Sequence, residues 1–127
     1  MQESDKAETS LMKAIKLDSL SDGAYYNLGN VFAHRNNFVK AIQNYKKALE
    51  INPTNEDAVN NTGNSYAAMQ DYENAIIYFR KAIELNPANA GALNNLGLLL
   101  SFFHKRCSQN KLRFERLSLN TTYSLFL

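Results

Sequence analysis

A 34-residue sequence pattern occurs twice between Asp22 and Asn89. This repeat limits the possible folds of the 127-residue chain more than any other feature. We number each copy by offset, with Asp22 and Glu56 at offset 1. Small, aromatic and proline residues recur in register, while offset 4 holds Tyr and then Val, and offset 7 holds Leu and then Thr. A fixed period of 20–50 residues is typical of stacked-repeat architectures. Offsets 4, 7, 8, 11, 20, 24, 27 and 32 hold Tyr25, Leu28, Gly29, Phe32, Ala41, Tyr45, Ala48 and Pro53, then Val59, Thr62, Gly63, Tyr66, Ala75, Phe79, Ala82 and Pro87.

Apolar residues at helical spacing predict two helices in each copy, which we call helix A and helix B. Asn36-Asn37 and Gln70-Asp71 provide the turns between them. Pro53 and Pro87 end each helix B, because proline has no amide hydrogen and disfavours helix at the residue before it. The predicted helices span about 22–35 and 38–51 in the first copy, and about 56–69 and 72–85 in the second.

Small residues recur where two antiparallel helices would cross. Gly29 and Gly63 on the A helices face alanines at offsets 20 and 27 of the B helices, with aromatic residues beside them. A single helical hairpin cannot bury both of its apolar faces, whereas a stack of hairpins can. The pattern therefore predicts an all-α fold of stacked antiparallel helix hairpins.

Both ends of the chain carry parts of the same pattern. Ala7, Leu11 and Ala14 fall at offsets 20, 24 and 27 of a preceding copy, so the chain is predicted to open on a helix B. A third helix A is predicted over about 90–103, because offsets 4, 7, 8 and 11 hold Leu93, Leu96, Gly97 and Leu100.

The third copy then departs from the pattern. Arg113 and Arg116 occupy offsets 24 and 27, and burying unpaired arginines is costly, so a normal helix B is not expected. Neither Gly nor Pro follows Gly97, so the helix can continue, straight or kinked. The predicted organisation is 1–21, helix B of an incomplete repeat; 22–55 and 56–89, two full repeats; 90–103, helix A of an incomplete repeat; and 104–127, a basic tail outside the repeats.

These offsets resemble the tetratricopeptide repeat. The resemblance implies a right-handed α-solenoid whose concave face is lined by the A helices. The run from Tyr25 to Asn30 is similar to the asparagine-lined superhelix of O-GlcNAc transferase-type proteins, and this implies binding of a peptide backbone by Asn27, Asn61 and Asn95. The glycosyltransferase domain is absent from this sequence, so that activity is not carried over.

Asparagines recur at the offsets that the resemblance assigns to the groove, which are 2, 5, 6, 9, 12 and 13. Three lie at offset 6 and two at offset 9. A carboxamide both donates and accepts hydrogen bonds, so a row of them can pair with a peptide main chain. The alternative is that asparagine is merely tolerated on a solvated helix face. Asparagine is a poor helix former, so its recurrence at one offset favours a role in peptide binding. The predicted peptide-binding residues are Tyr26, Asn27, Asn30, Asn60, Asn61, Asn64, Asn94 and Asn95.

The sequence thus predicts a protein-interaction scaffold that binds an extended peptide in a concave groove. The alternative is a regulatory or substrate-targeting fragment of a larger enzyme, such as a glycosyltransferase. The carboxylate clamp of chaperone-binding family members is disfavoured, because Tyr26, Gly91 and Asn95 stand where that clamp has cations.

Catalytic chemistry has little support, and we predict a non-enzyme with no metal and no cofactor. His34 and His104 lie far apart in the pattern, and Cys107 has basic neighbours but no partner base. No phosphate-binding loop, paired metal-ligand spacing or nucleophile motif is present. The predicted partner is a protein or peptide, with no small-molecule substrate, and the incomplete C-terminal repeat offers a surface for self-association.

The net charge of +2 is uneven along the chain. Residues 1–103 carry a balance of −2, and residues 104–127 carry +4. A basic tail can contact nucleic acid or acidic membranes, here through Lys105, Arg106, Lys111, Arg113 and Arg116, but we rank this below an abnormal or solvated terminus. A single cysteine, no leader and no spanning segment predict a soluble protein of the cytoplasm or nucleus.

Overall fold

The computed structural model describes the backbone of residues 2–125 and the side chains of residues 2–109. The predicted all-α fold of stacked helix pairs is confirmed. Each full repeat is an antiparallel pair, α2 with α3 and α4 with α5, while α1 packs on α2 and α6 packs on α5. The six helices are α1 (Gln2–Leu17), α2 (Asp22–His34), α3 (Phe38–Ile51), α4 (Glu56–Ala68), α5 (Tyr72–Leu85) and α6 (Ala90–Leu125).

The turns inside both repeats use the same two devices. Asn36 and Gln70, each at offset 15, adopt positive φ angles of 59° and 62°. The next residue caps helix B, because the side chains of Asn37 and Asp71 accept from the backbone N–H three residues on. A left-handed residue followed by a side-chain acceptor reverses the chain within two residues.

Both repeats also bury the same kind of contact between their helices. The ring of Tyr45 lies against Gly29, and the ring of Phe79 lies against Gly63. Both rings are almost fully buried, and the alanines at offsets 20 and 27 are completely buried. Burying each aromatic ring contributes about 2–3 kcal/mol, and only a glycine lets the ring approach so closely.

Carboxylates at offset 1 tie each repeat to the loop that follows it. Asp22 accepts from the Asn52 amide at 3.0 Å, and Glu56 accepts from Asn86 and Asn89 at 3.0 and 2.6 Å. The hydrogen bond from Asn52 lowers the pKa of Asp22. These contacts were not predicted from the sequence.

The third helix A does not turn at offset 15. His104 and Lys105 stand where the full repeats have a left-handed residue and a cap, and α6 continues as one helix to Leu125. The longer helix was predicted as one outcome of the failed pattern. The side chains of Lys111, Arg113 and Arg116, on which the nucleic-acid hypothesis depends, lie outside the described residues.

Candidate peptide-binding face

The A helices α2, α4 and α6 lie side by side and are joined by asparagine side chains. Asn61 Nδ2 on α4 donates to Asn30 Oδ1 on α2 at 3.1 Å. One period later, Asn95 Nδ2 on α6 donates to Asn64 Oδ1 on α4 at 2.9 Å. In both pairs the offset-6 amide of one repeat meets the offset-9 amide of the repeat before it. The structure therefore brings together four of the eight predicted residues as two hydrogen-bonded pairs.

Two tyrosines extend the first pair. Tyr45 Oη donates to Asn30 Oδ1 at 2.7 Å, and Asn61 Nδ2 also donates to Tyr26 Oη at 3.3 Å. Burial raises the pKa of Tyr45 to about 12, so its hydroxyl keeps its proton at neutral pH. Asn30 Oδ1 consequently accepts from two donors, which fixes the orientation of its amide.

The orientation of each pair leaves one donor and one acceptor for a ligand. Among hydrogen bonds between described residues, none uses Nδ2 of Asn30 or Asn64, and none uses Oδ1 of Asn61 or Asn95. Asn30 Nδ2 and Asn61 Oδ1 are accessible to solvent, because neither is among the buried polar atoms without a hydrogen-bond partner. Each pair can therefore give one N–H and accept one N–H, which is what a peptide unit requires.

An open hollow of about 260 Å³ lies beside the first pair, between α2 and α4. Its lining contains no Lys, Arg, Asp or Glu, so the hollow suits a neutral group better than a charged one. The lining residues are Asn30, Ala33, His34, Phe38, Tyr45, Asn61, Asn64 and Ser65.

The other predicted residues have different surroundings. Asn27 and Asn94 are exposed and form no side-chain hydrogen bond with the described residues. Asn60 is half-buried under Gly91, where a Cβ would stand 3.7 Å from Asn60 Nδ2. The Oδ1 atom of Asn60 is buried without a partner among the described residues, so it does not reach the hollow.

Sequence reasoning missed five residues that line the hollow. Tyr45 was assigned only to packing between the helices, and His34 was considered only as a catalytic residue. Ala33, Phe38 and Ser65 received no role. The offset pattern carried a signal for Tyr45, because the second repeat has Phe79 at the same offset and the extra hydroxyl needs a partner.

Family models described as tetratricopeptide repeat match most of this chain. One model matches residues 23–55 and again 57–89. A second matches residues 78–113, which include the start of the third copy. The chain belongs to the tetratricopeptide repeat family.

Solved tetratricopeptide repeat structures share its fold. The first such domain of Spaghetti (RPAP3), bound to an HSP90 peptide, is 21% identical with a TM-score of 0.77, covering 81% of this chain and 82% of that chain. MamA is 29% identical with a TM-score of 0.77, and 63% of its chain is covered against 85% of this one. The Arabidopsis OM64 domain is 28% identical with a TM-score of 0.73, at 77% and 81% coverage. No curated protein sequence matches this chain.

The site described above in this tetratricopeptide repeat chain consists of hydrogen-bonding and packing side chains. Within the described residues, no group of three or more His, Cys, Asp or Glu side chains is arranged to hold a metal ion. The same part of the chain has no helix that combines the length and apolarity needed to cross a bilayer.

Proposed function

We propose that this chain is a protein-interaction module that holds an extended peptide across α2, α4 and α6 through main-chain hydrogen bonds. The observation that supports this most strongly is the repeated offset-6 to offset-9 asparagine pair, Asn61 with Asn30 and Asn95 with Asn64. The tyrosines hold the first pair in one orientation, and each pair leaves one donor and one acceptor.

The spacing of the pairs fits an extended chain. Packed helices lie about 8–10 Å apart, and an extended peptide advances about 3.3 Å per residue. A peptide crossing the A helices would therefore meet a new asparagine pair about every three residues. Because the contacts use the main chain, the module would tolerate many side-chain sequences.

Recognition of a C-terminal carboxylate, by the clamp that the resemblance attributes to chaperone-binding family members, is a different mode. Two of the structural neighbours, domains of RPAP3, are bound to an HSP90 and an HSP70 peptide. This chain has Tyr26, Gly91 and Asn95 at the positions where the resemblance requires cations. Two of them are already engaged, because Tyr26 accepts from Asn61 and Asn95 donates to Asn64. We therefore propose internal extended segments as ligands, so a bound peptide should bind equally well with a free or an amidated C-terminus.

The test replaces Asn30 and Asn64 by Asp in one double variant. Aspartate keeps the oxygen that accepts from Asn61 and Asn95, so the contacts between repeats survive, but it removes the N–H offered to the ligand. A peptide selected from a random 12-residue display library is titrated by calorimetry against the wild type and the variant. We expect its affinity to fall about tenfold or more, since each lost hydrogen bond is worth about 1 kcal/mol.

The matched control is Gln43→Glu, which makes the same amide-to-acid change at an exposed position of α3 outside the hollow. Its affinity should equal that of the wild type. Equal affinity of the double variant and this control, with intact helicity in both, would reject the proposed role of the asparagine pairs.

A further inference from the structure

One side of α6 carries the pattern of a helix A, and no helix B among the described residues packs on it. This open stripe consists of Leu93, Gly97, Leu100 and His104, at offsets 4, 8, 11 and 15. Leu93 and Leu100 are 46% and 43% exposed. The equivalent residues Val59 and Phe32 in the full repeats are only 3% and 9% exposed.

The glycines at offset 8 show what is missing from the stripe. A Cβ built on Gly29 or Gly63 would stand 2.5 or 2.7 Å from an aromatic ring carbon of helix B. A Cβ on Gly97 would meet nothing within 4 Å among the described residues. The stripe therefore fits a helix with small residues at offsets 20 and 27 and a large apolar residue at offset 24.

The residues that follow the stripe in the chain do not supply this helix. The backbone of α6 runs on as a helix to Leu125 instead of turning back. Arg113 and Arg116 also stand at the two offsets where helix B needs a large apolar residue and a small one.

Helix α1 carries the required pattern on a partly uncovered side. Ala7, Leu11 and Ala14 fall at offsets 20, 24 and 27. Ala7 and Ala14 are only half-buried. The alanines at the same offsets of both full repeats are 0% exposed, because a helix A covers them. Within residues 2–109, α1 thus has the sequence pattern of a helix B, but no helix A covers its alanines.

The charges of the two surfaces are complementary. In an antiparallel pair, the start of helix B lies beside the end of helix A. The first turns of α1 carry Glu3, Asp5 and Glu8, and the corresponding part of α6 carries Lys105 and Arg106. Asp5 and Glu8 already pair with Arg35 within the chain, which leaves Glu3 as the nearest acid for the second surface.

We propose that α1 of a second copy docks antiparallel on the open stripe of α6 and completes the third repeat between two molecules. The contact uses different surfaces on the two copies, so it is head-to-tail, and each added copy leaves a new stripe open. The products are linear oligomers that grow with concentration.

The junction lacks one contact that the internal repeats have. Leu98 occupies offset 9 of the third copy, where the earlier repeats have Asn30 and Asn64. Asn27 of the next molecule therefore gains no amide partner there. The association is accordingly weaker than the stacking inside one chain, and it is reversible on dilution.

Sedimentation velocity of the 127-residue chain over a wide concentration range tests the proposal. Gly97→Glu blocks the stripe with a side chain that has free space in the single molecule, and Ala14→Glu blocks the α1 surface. Each variant should sediment as a monomer where the wild type forms oligomers. An equal mixture should form dimers and nothing longer, because one intact surface of each kind remains.

Thr9→Glu and Gly91→Glu are the controls, since they add the same charge to exposed positions of α1 and α6 outside the two surfaces. The equivalent positions, at offsets 22 and 2, are exposed in both full repeats. Both should form oligomers like the wild type. If either blocking variant loses helicity, Ala7→Glu and Leu100→Glu replace the pair.

Three results would overturn the proposal. The first is a wild type that stays monomeric at all concentrations. The second is an Ala14→Glu variant that still dimerises, which would mean that α6 pairs with α6. The third is oligomers that neither substitution affects, which would indicate non-specific aggregation.

Discussion

The glycines at offset 8 have the same place in three A helices but different surroundings. Gly63 contacts the ring of Phe79, whereas Gly97 has free space. We expect Gly63→Ala to lower the free energy of unfolding by about 1–3 kcal/mol, because the ring must move. Gly97→Ala should instead raise it by up to about 1 kcal/mol, since alanine is the better helix former.

Urea unfolding at low protein concentration, followed by circular dichroism, compares the two glycine variants. The opposite signs are the important result, since both changes add one methyl group to a helix. Equal destabilisation by both variants would mean that Gly97 is packed like Gly63.

Tyr45 makes the stability of the fold depend on alkaline pH. Its pKa is raised from 10.0 to about 12, first by burial and then by the nearby Tyr26. The stabilising effect of the neutral hydroxyl is therefore complete below pH 10 and is lost as the pH rises towards 12. Tyr45→Phe should cost about 1 kcal/mol at pH 7 through the lost bond to Asn30, and it should flatten the alkaline decline.

Urea unfolding of the wild type and Tyr45→Phe at several pH values between 8 and 12 checks this expectation. Phenylalanine fits the position, because Phe79 occupies the same offset in the second repeat. Parallel pH curves for the two proteins would show that the pKa of Tyr45 is the same in the folded and unfolded states.

At the scale of elements, the start of helix B depends on the capping residue at offset 16. Asn37 and Asp71 accept from the backbone N–H groups of Lys40 and Asn74 at 3.2 and 3.3 Å. Lys105 stands at this offset in the third copy, inside α6, and caps nothing. We expect Asp71→Ala to cost about 1 kcal/mol of stability, and Lys105→Ala to change it by less than about 0.5 kcal/mol.

Thermal or urea unfolding of the two alanine variants measures the capping effect. A Lys105→Ala variant as unstable as Asp71→Ala would indicate that the loss at Asp71 does not come from capping, since a lysine side chain has no acceptor for a backbone N–H.

The helices themselves were largely predictable from the sequence. The predicted bounds of the four helices in the full repeats agree with the structure to within one residue. The reason is local, since Pro53 and Pro87, the caps and the apolar period all act within a few residues along the chain. The extent of α6 was less predictable. The helix continues because the turn residues of the full repeats and a helix-ending Gly or Pro are missing after Gly97, and no residue positively signals where it should end.

At the scale of the whole molecule, polar side chains join successive repeats along two lines. One line is the asparagine pairs on the A helices, and the other is the offset-1 carboxylates that bind the following loop. The sequence predicted the asparagines at the groove offsets but not their bonds to one another. Those bonds join residues 31 apart on separate helices, so they depend on how the hairpins stack and not on local pattern.

This pairing changes the meaning of the predicted asparagine row. The amides at offsets 6 and 9 were all expected to face the peptide, but in two of the three offset-6 residues the N–H groups serve the contact between repeats. The ligand would instead find an acceptor at offset 6 and a donor at offset 9. Asn27 has no such partner among the described residues, so its amide is not oriented in advance.

A backbone methylation scan of a bound peptide tests the central claim most directly. Each residue of a library-selected peptide is replaced in turn by its N-methyl form, and in a second series its side chain is changed to alanine. We predict two methylation-sensitive positions about three residues apart, each losing about fivefold in affinity through one hydrogen bond, and little effect of most side-chain changes. If the alanine changes lower the affinity and N-methylation does not, the proposed binding of the peptide main chain by the asparagine pairs is contradicted.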